Sequence, residues 1–116
     1  KNLTNSDLSN ERTAELAGAY NFGPDLYSNR SVGKLVDELL KHYEGSWEDH
    51  SDPNALHEAS LLNLSIDKAY HMLGWKPKWG FEKTILETCD WYKKSSSDTS
   101  KIQQFTRDQI LNYIND

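Results

Sequence analysis

His57 and Glu58 stand side by side in Leu56-His57-Glu58-Ala59, pairing an imidazole that titrates near neutral pH with a carboxylate that only accepts hydrogen bonds when ionised. A zinc-peptidase pattern would need a second His four residues after His57, and Leu61 stands there instead. Glu48, Asp49, His50 and Asp52 gather ligand-type side chains, but near-adjacent residues without helical or hairpin spacing do not aim at one point. They read as a solvated acidic loop. Cys89 is the sole cysteine, which excludes an intrachain disulfide and a Cys-based zinc site. The six glycines form neither Gly-x-Gly-x-x-Gly nor Gly-x-x-Gly-x-x-Gly, and Gly33-Lys34 lacks the upstream glycine of a P-loop. No Tyr is followed four residues later by Lys, so a tyrosine–lysine proton-transfer pair is absent from the sequence. No local sequence marks a nucleophile with its base. These residues predict no catalytic, cofactor-binding or metal-binding set within the chain, which is expected to be inactive by itself.

The elements that must position His57 and Glu58 are short. Residues 1–17 form a polar lead-in, with Lys1 to Glu11 read as loop or the frayed end of a helix. Ala19-Tyr20-Asn21-Phe22, stopped by Gly23-Pro24, predicts a brief buried strand and turn. Ser31 then stands as N-cap before Val32, Leu35, Val36, Leu39, Leu40 and Tyr43, a one-sided helical stripe closed by Gly45 as a left-handed terminal residue. A short strand and irregular loop are expected over Trp47 to Asn54, and another strand over Glu58 to Leu64. Ser65 or Asp67 would cap a helix carrying Ala69, Met72 and Leu73, which Gly74 and Pro77 end. Phe81, Ile85, Thr88, Cys89 and Tyr92 mark a further helix fading into Ser95-Ser96-Ser97. After a flexible linker over 95–104, Thr106 and Gln109 read as a capping box before Ile110, Tyr113 and Ile114. The expected fold is α+β, about four helices with two or three short strands, in a single lobe over 1–116.

Bulk composition narrows the classes. Hydrophobic residues make up 36% of the 116, below the roughly 45–50% usual for a globular domain, so a self-sufficient core would be small and aromatic. The four Trp, six Tyr and three Phe carry much of the apolar area. The formal charge of −5 is spread without a Lys/Arg run, which argues against nucleic acid or an anionic membrane as partner. No apolar stretch reaches membrane-spanning length and no signal peptide is visible, so cytoplasm is the expected compartment. The first residue is Lys1, read as a processed or trimmed end; the Asn-x-Ser/Thr triplets at Asn2, Asn29 and Asn63 read as chance matches.

Several motifs in order carry a resemblance. Ala19-Tyr20-Asn21-Phe22-Gly23-Pro24 followed by Ser31-Val32 resembles the late strand and helix of extended short-chain dehydrogenase/reductase enzymes. His57-Glu58-Ala59, Leu62, Leu64, Asp67-Lys68-Ala69 and Leu73-Gly74-Trp75-Lys76-Pro77 extend the likeness. With Trp91-Tyr92 and the tail from Phe105 to Tyr113, the pattern is similar to that of the CDP-glucose 4,6-dehydratases, from about Ala17 onward.

The resemblance implies the C-terminal, substrate-binding lobe of a bilobal lyase that converts CDP-glucose to CDP-4-keto-6-deoxyglucose with loss of water, a step of surface-polysaccharide biosynthesis. NAD and the chemistry would belong to a missing N-terminal Rossmann half, and this chain would carry no cofactor of its own. The resemblance puts Glu58 where relatives bind the ribose hydroxyls; a carboxylate suits vicinal hydroxyls because each oxygen can accept one. Where many relatives place a phosphate-binding Arg, three residues earlier, this chain has Ala55. The phosphate contact would then come from the other half or from protonated His57, and a structural role for His57 stays open beside it. The implied partners are a CDP-sugar and the Rossmann half, with a homo-oligomer left open. Two other readings remain: the same lobe from another nucleotide-sugar dehydratase or epimerase, and a stand-alone helical interaction domain without activity.

Overall fold

The computed structural model describes residues 4–55 and 63–116, and it divides into two compact units. Among the described residues, the first joins 4–23 with 63–76 and the second joins 24–55 with 77–116.

In the first unit, α1 spans Asn5–Leu16. It begins in a capping box: the Asp7 N–H donates to Thr4 Oγ1 at 3.2 Å, and the Thr4 N–H donates to Asp7 Oδ2 at 3.1 Å. The Thr4 hydroxyl, donating to Asp7 Oδ2 at 2.6 Å, and then the Thr4 N–H hold the Asp7 carboxyl below its usual range. The polar lead-in thus contains a full helix, made by local capping and by Ser9 and Thr13 hydroxyls bonded to carbonyls one turn back. Beyond it Tyr20 donates its hydroxyl proton to Leu16 O at 2.6 Å. The second helix of this unit, α3 (Asp67–Leu73), buries Ala69 completely. Neither Ser65 nor Asp67 caps it; Ile66 takes that position without a side-chain bond, while Asp67 begins the helix and favours its positive end. Gly74 does end it, in the left-handed conformation at φ 65°, ψ 17°, with its N–H on Tyr70 O at 2.9 Å.

The second unit is built on α4 (Phe81–Ser97), which packs against α2 (Val32–Leu40) and against α5 (Ile102–Asn115). Ser31 caps α2 by accepting from the Lys34 N–H at 3.3 Å, as its residue type suggests. Gly45 does not close α2. The helix ends at Leu40, five residues earlier, and Gly45, at φ 158°, is far from the left-handed helical φ that Gly74 takes. Chain folding back brings Trp47 onto Gly33, where a Cβ would stand 3.2 Å from the indole, and the Trp47 N–H donates to Asp37 Oδ1 at 3.1 Å. Of the α2 stripe, Val36, Leu39, Leu40 and Tyr43 are half-buried, whereas Val32 is 78% exposed. Cys89 on α4 is buried, and Tyr43 donates its hydroxyl proton to the Cys89 carbonyl at 3.3 Å.

The α+β expectation is overturned: among the described residues there are helices and no strand. Ala19–Phe22 and Trp47–Asn54 are not helical, yet their backbones join no ladder, and a strand exists only by pairing with another. Nor is the Ala19–Phe22 run buried: Tyr20 is half-buried and Phe22 is 51% exposed. The Glu58–Leu64 strand expectation falls largely outside the described residues. The Thr106–Gln109 capping box is also overturned, because α5 begins at Ile102 after the 3-10 turn Thr99–Lys101 and both residues lie inside it. No helix among the described residues is long and apolar enough to cross a membrane.

Candidate functional site

His57 and Glu58 lie outside the described residues. The structure does describe the frame around the resemblance motifs in the first unit. Residues 63–66 pass close to Gly23: a Cβ there would meet Leu64 Cβ at 3.6 Å and Ile66 Cγ2 at 3.7 Å. Lys68, one turn later on α3, donates to Ala19 O at 2.9 Å and sets its ammonium 4.6 Å from the Tyr20 ring centre. Trp75, just past the Gly74 turn, meets the Phe22 ring edge-on at 5.0 Å. Three motifs far apart in sequence, Tyr20-to-Gly23, Asp67-Lys68-Ala69 and Gly74-Trp75, therefore form one packed frame.

The other sequence candidates behave as structural groups. His50 and Glu48 pair at 3.2 Å on an exposed loop. Asp49 accepts from the Ser51 N–H at 2.8 Å and Asp52 from the Asn54 N–H at 2.8 Å, and the Ser51 bonds hold the Asp49 carboxyl below its usual range. Among the described residues no three His, Cys, Asp or Glu side chains converge as a metal set. Burial pushes the Cys89 thiol above its ordinary pKa, only partly opposed by Lys93, so the sulfur is held protonated and unreactive at neutral pH.

A polar seam between α4 and α5 escaped the sequence reading. The Trp91 indole N–H donates to Thr106 Oγ1 at 2.9 Å, while Gln109 Nε2 donates to the Glu87 carbonyl at 2.8 Å and to Glu87 Oε2 at 2.9 Å. Taking Thr106 and Gln109 as caps hid that they share a helical face with Ile102, Phe105 and Tyr113, the half-buried positions of α5. At the end of this unit the Asp116 carboxylate accepts from the Trp79 indole at 2.6 Å and pairs with the Lys83 ammonium. The Lys83 bond first, then Trp79, keeps Asp116 below the usual carboxylate range.

No protein-family model matches the chain, and no solved structure matches it significantly. Among curated proteins, a CDP-glucose 4,6-dehydratase of Salmonella typhimurium is 33% identical over 82 residues. The alignment covers 69% of this chain but only 23% of the relative, so the chain spans less than a quarter of that enzyme's length. The similarity is a distant, partial homology to a nucleotide-sugar dehydratase.

Proposed function

We propose that this chain is the nucleotide-sugar-binding region of an enzyme of the CDP-glucose 4,6-dehydratase type. The observation that supports it is the 33% identity over 82 residues to such an enzyme, joined to motifs that the first unit packs together around Gly23, Lys68 and Trp75. In this reading Glu58 accepts the ribose hydroxyls of a CDP-sugar, and His57 stands beside the diphosphate. The described α-helices open on Thr4, Ser31, Ile66, Gly80 and Lys101, none within a glycine-rich phosphate turn. In this reading NAD is held by a Rossmann half.

Calorimetric titration with CDP-glucose, on protein that unites this chain with a Rossmann half, tests the assignment. Replacing Glu58 by Ala should weaken binding about tenfold or more, the loss expected when charged hydrogen bonds worth roughly 1.5–3 kcal/mol are removed. Unchanged affinity would sink the ribose role. One observation favours a second reading, a helical interaction domain: Ile110, Leu111 and Ile114 of α5 are 54%, 54% and 58% exposed on a face turned away from the half-buried one. A concentration-dependent mass in analytical ultracentrifugation, without nucleotide binding, would support it.

A further inference from the structure

Along one flank of α4 and the adjoining part of α5 lies an open recess of about 230 Å³, lined by Trp79, Glu87, Thr88, Trp91, Tyr92 and Gln109. Its size is below the roughly 300–1,000 Å³ of sites for drug-sized ligands, which suits one six-membered sugar ring. We propose that this recess binds a neutral pyranose.

The rings set the platform. Glu87 and Thr88 stand one helical turn before Trp91 and Tyr92, so the four side chains share a flank of α4. The Trp91 and Tyr92 rings meet at right angles (89°) with centroids 5.3 Å apart, forming a corner of two π-faces. The Trp91 N–H is committed to Thr106 and the Trp79 N–H to Asp116. The Lys83 ammonium lies 5.1 Å from the Trp79 ring centre and the Tyr113 ring meets that indole edge-on at 4.9 Å, so the ring surface on which the C–H face of a pyranose can rest is chiefly that of Trp91 and Tyr92.

The polar groups select hydroxyls. Gln109 spends its NH₂ on Glu87, which leaves Gln109 Oε1 and Glu87 Oε1 without a hydrogen-bond partner among the described residues. Thr88 gives its proton to Thr84 O at 2.7 Å and keeps its lone pairs. These three side chains together present acceptors. A polyol supplies the matching donors, whereas a phosphate or carboxylate would meet the Glu87 carboxylate with like charge. A quaternary ammonium could also lie against aromatic rings, but it has no hydrogen for these three acceptors. The polyol satisfies both sets of groups. The inference uses neither Glu58 nor the dehydratase reading, and the two stand or fall separately.

The test is titration of the full chain with methyl α-D-glucopyranoside, followed on the four indole N–H signals by two-dimensional NMR. The expected result is a saturable shift at Trp91 and Trp79 with a Kd of about 1–10 mM, while Trp47 and Trp75 stay still. Tyr92 is 57% exposed, so Tyr92→Ala should keep the fold and weaken the glycoside about tenfold or more. Glucose 6-phosphate should bind about tenfold more weakly than the glycoside. No saturable shift, equal movement of all four indoles, or saturation by choline chloride in place of the glycoside would each overturn the proposal. If Tyr92→Ala fails to fold, the wild-type titration still decides.

Discussion

Gly74 offers a clean measurement of what one backbone conformation contributes. At φ 65° it is in the left-handed region, and a Cβ built there meets nothing within 4 Å. Gly74→Ala therefore introduces no clash, only the strain of an L-residue in that region. That strain costs roughly 1–2 kcal/mol, offset by roughly 0.4–1 kcal/mol from the stiffer unfolded chain. The net loss is about 1 kcal/mol, a fall in Tm of roughly 4 °C for a chain of this length. Gly80 supplies the control: its Cβ site is equally open but its φ is −75°, which any residue adopts. Gly80→Ala should change stability by less than about 0.5 kcal/mol, as a good cap residue is lost and unfolded-chain freedom reduced. Gly74→Asn should recover part of the loss, because Asn enters the left-handed region more readily. Thermal unfolding followed by circular dichroism reads all three variants. Equal melting of Gly74→Ala and wild type, or equal damage from Gly80→Ala, would refute the reasoning.

Two further substitutions probe the second unit. Thr106→Val should cost about 1–3 kcal/mol by leaving the half-buried Trp91 N–H without its acceptor, whereas Thr106→Ser keeps the oxygen and should cost less; matching urea midpoints for the two variants would contradict this. Asp116 has a folded pKa below its unfolded value of about 3.9, so its stabilising contribution is complete above that pH and is lost as pH falls through the folded value. Asp116→Asn should accordingly flatten the acid limb of stability against pH below about pH 4. An unaltered limb in the variant would show that the Lys83 and Trp79 contacts contribute nothing.

The sequence made some of this legible for definite reasons. Ser31 and Gly74 were readable because a cap is a local matter, fixed by residue type within one turn. The α4 stripe was readable because helical spacing repeats over Phe81 to Tyr92. Strand assignments failed because a strand depends on a partner elsewhere, which Ala19-to-Phe22 cannot announce. The α5 register failed for a related reason: Thr106 and Gln109 have the composition of caps, but Trp91 and Glu87 on another helix use them as seam residues. The frame of the candidate site was legible as ordered motifs, since Gly23, Lys68 and Trp75 are each constrained by close packing or a specific bond. Glu58 itself was singled out by resemblance alone.

The central place of α4 has a further consequence. With α2 and α5 each packed on α4, two rods flank a middle one and the three enclose little volume between them. Among the described residues of this unit only Cys89 is buried, at 1% exposure, and the large aromatic rings keep part of their surface in water. Unfolding such an arrangement hydrates less new apolar surface per residue than unfolding a closed bundle. The heat-capacity increment and the urea dependence should both be shallow for 116 residues. A shallow curve from this protein is then the signature of its geometry and not of a loosened native state.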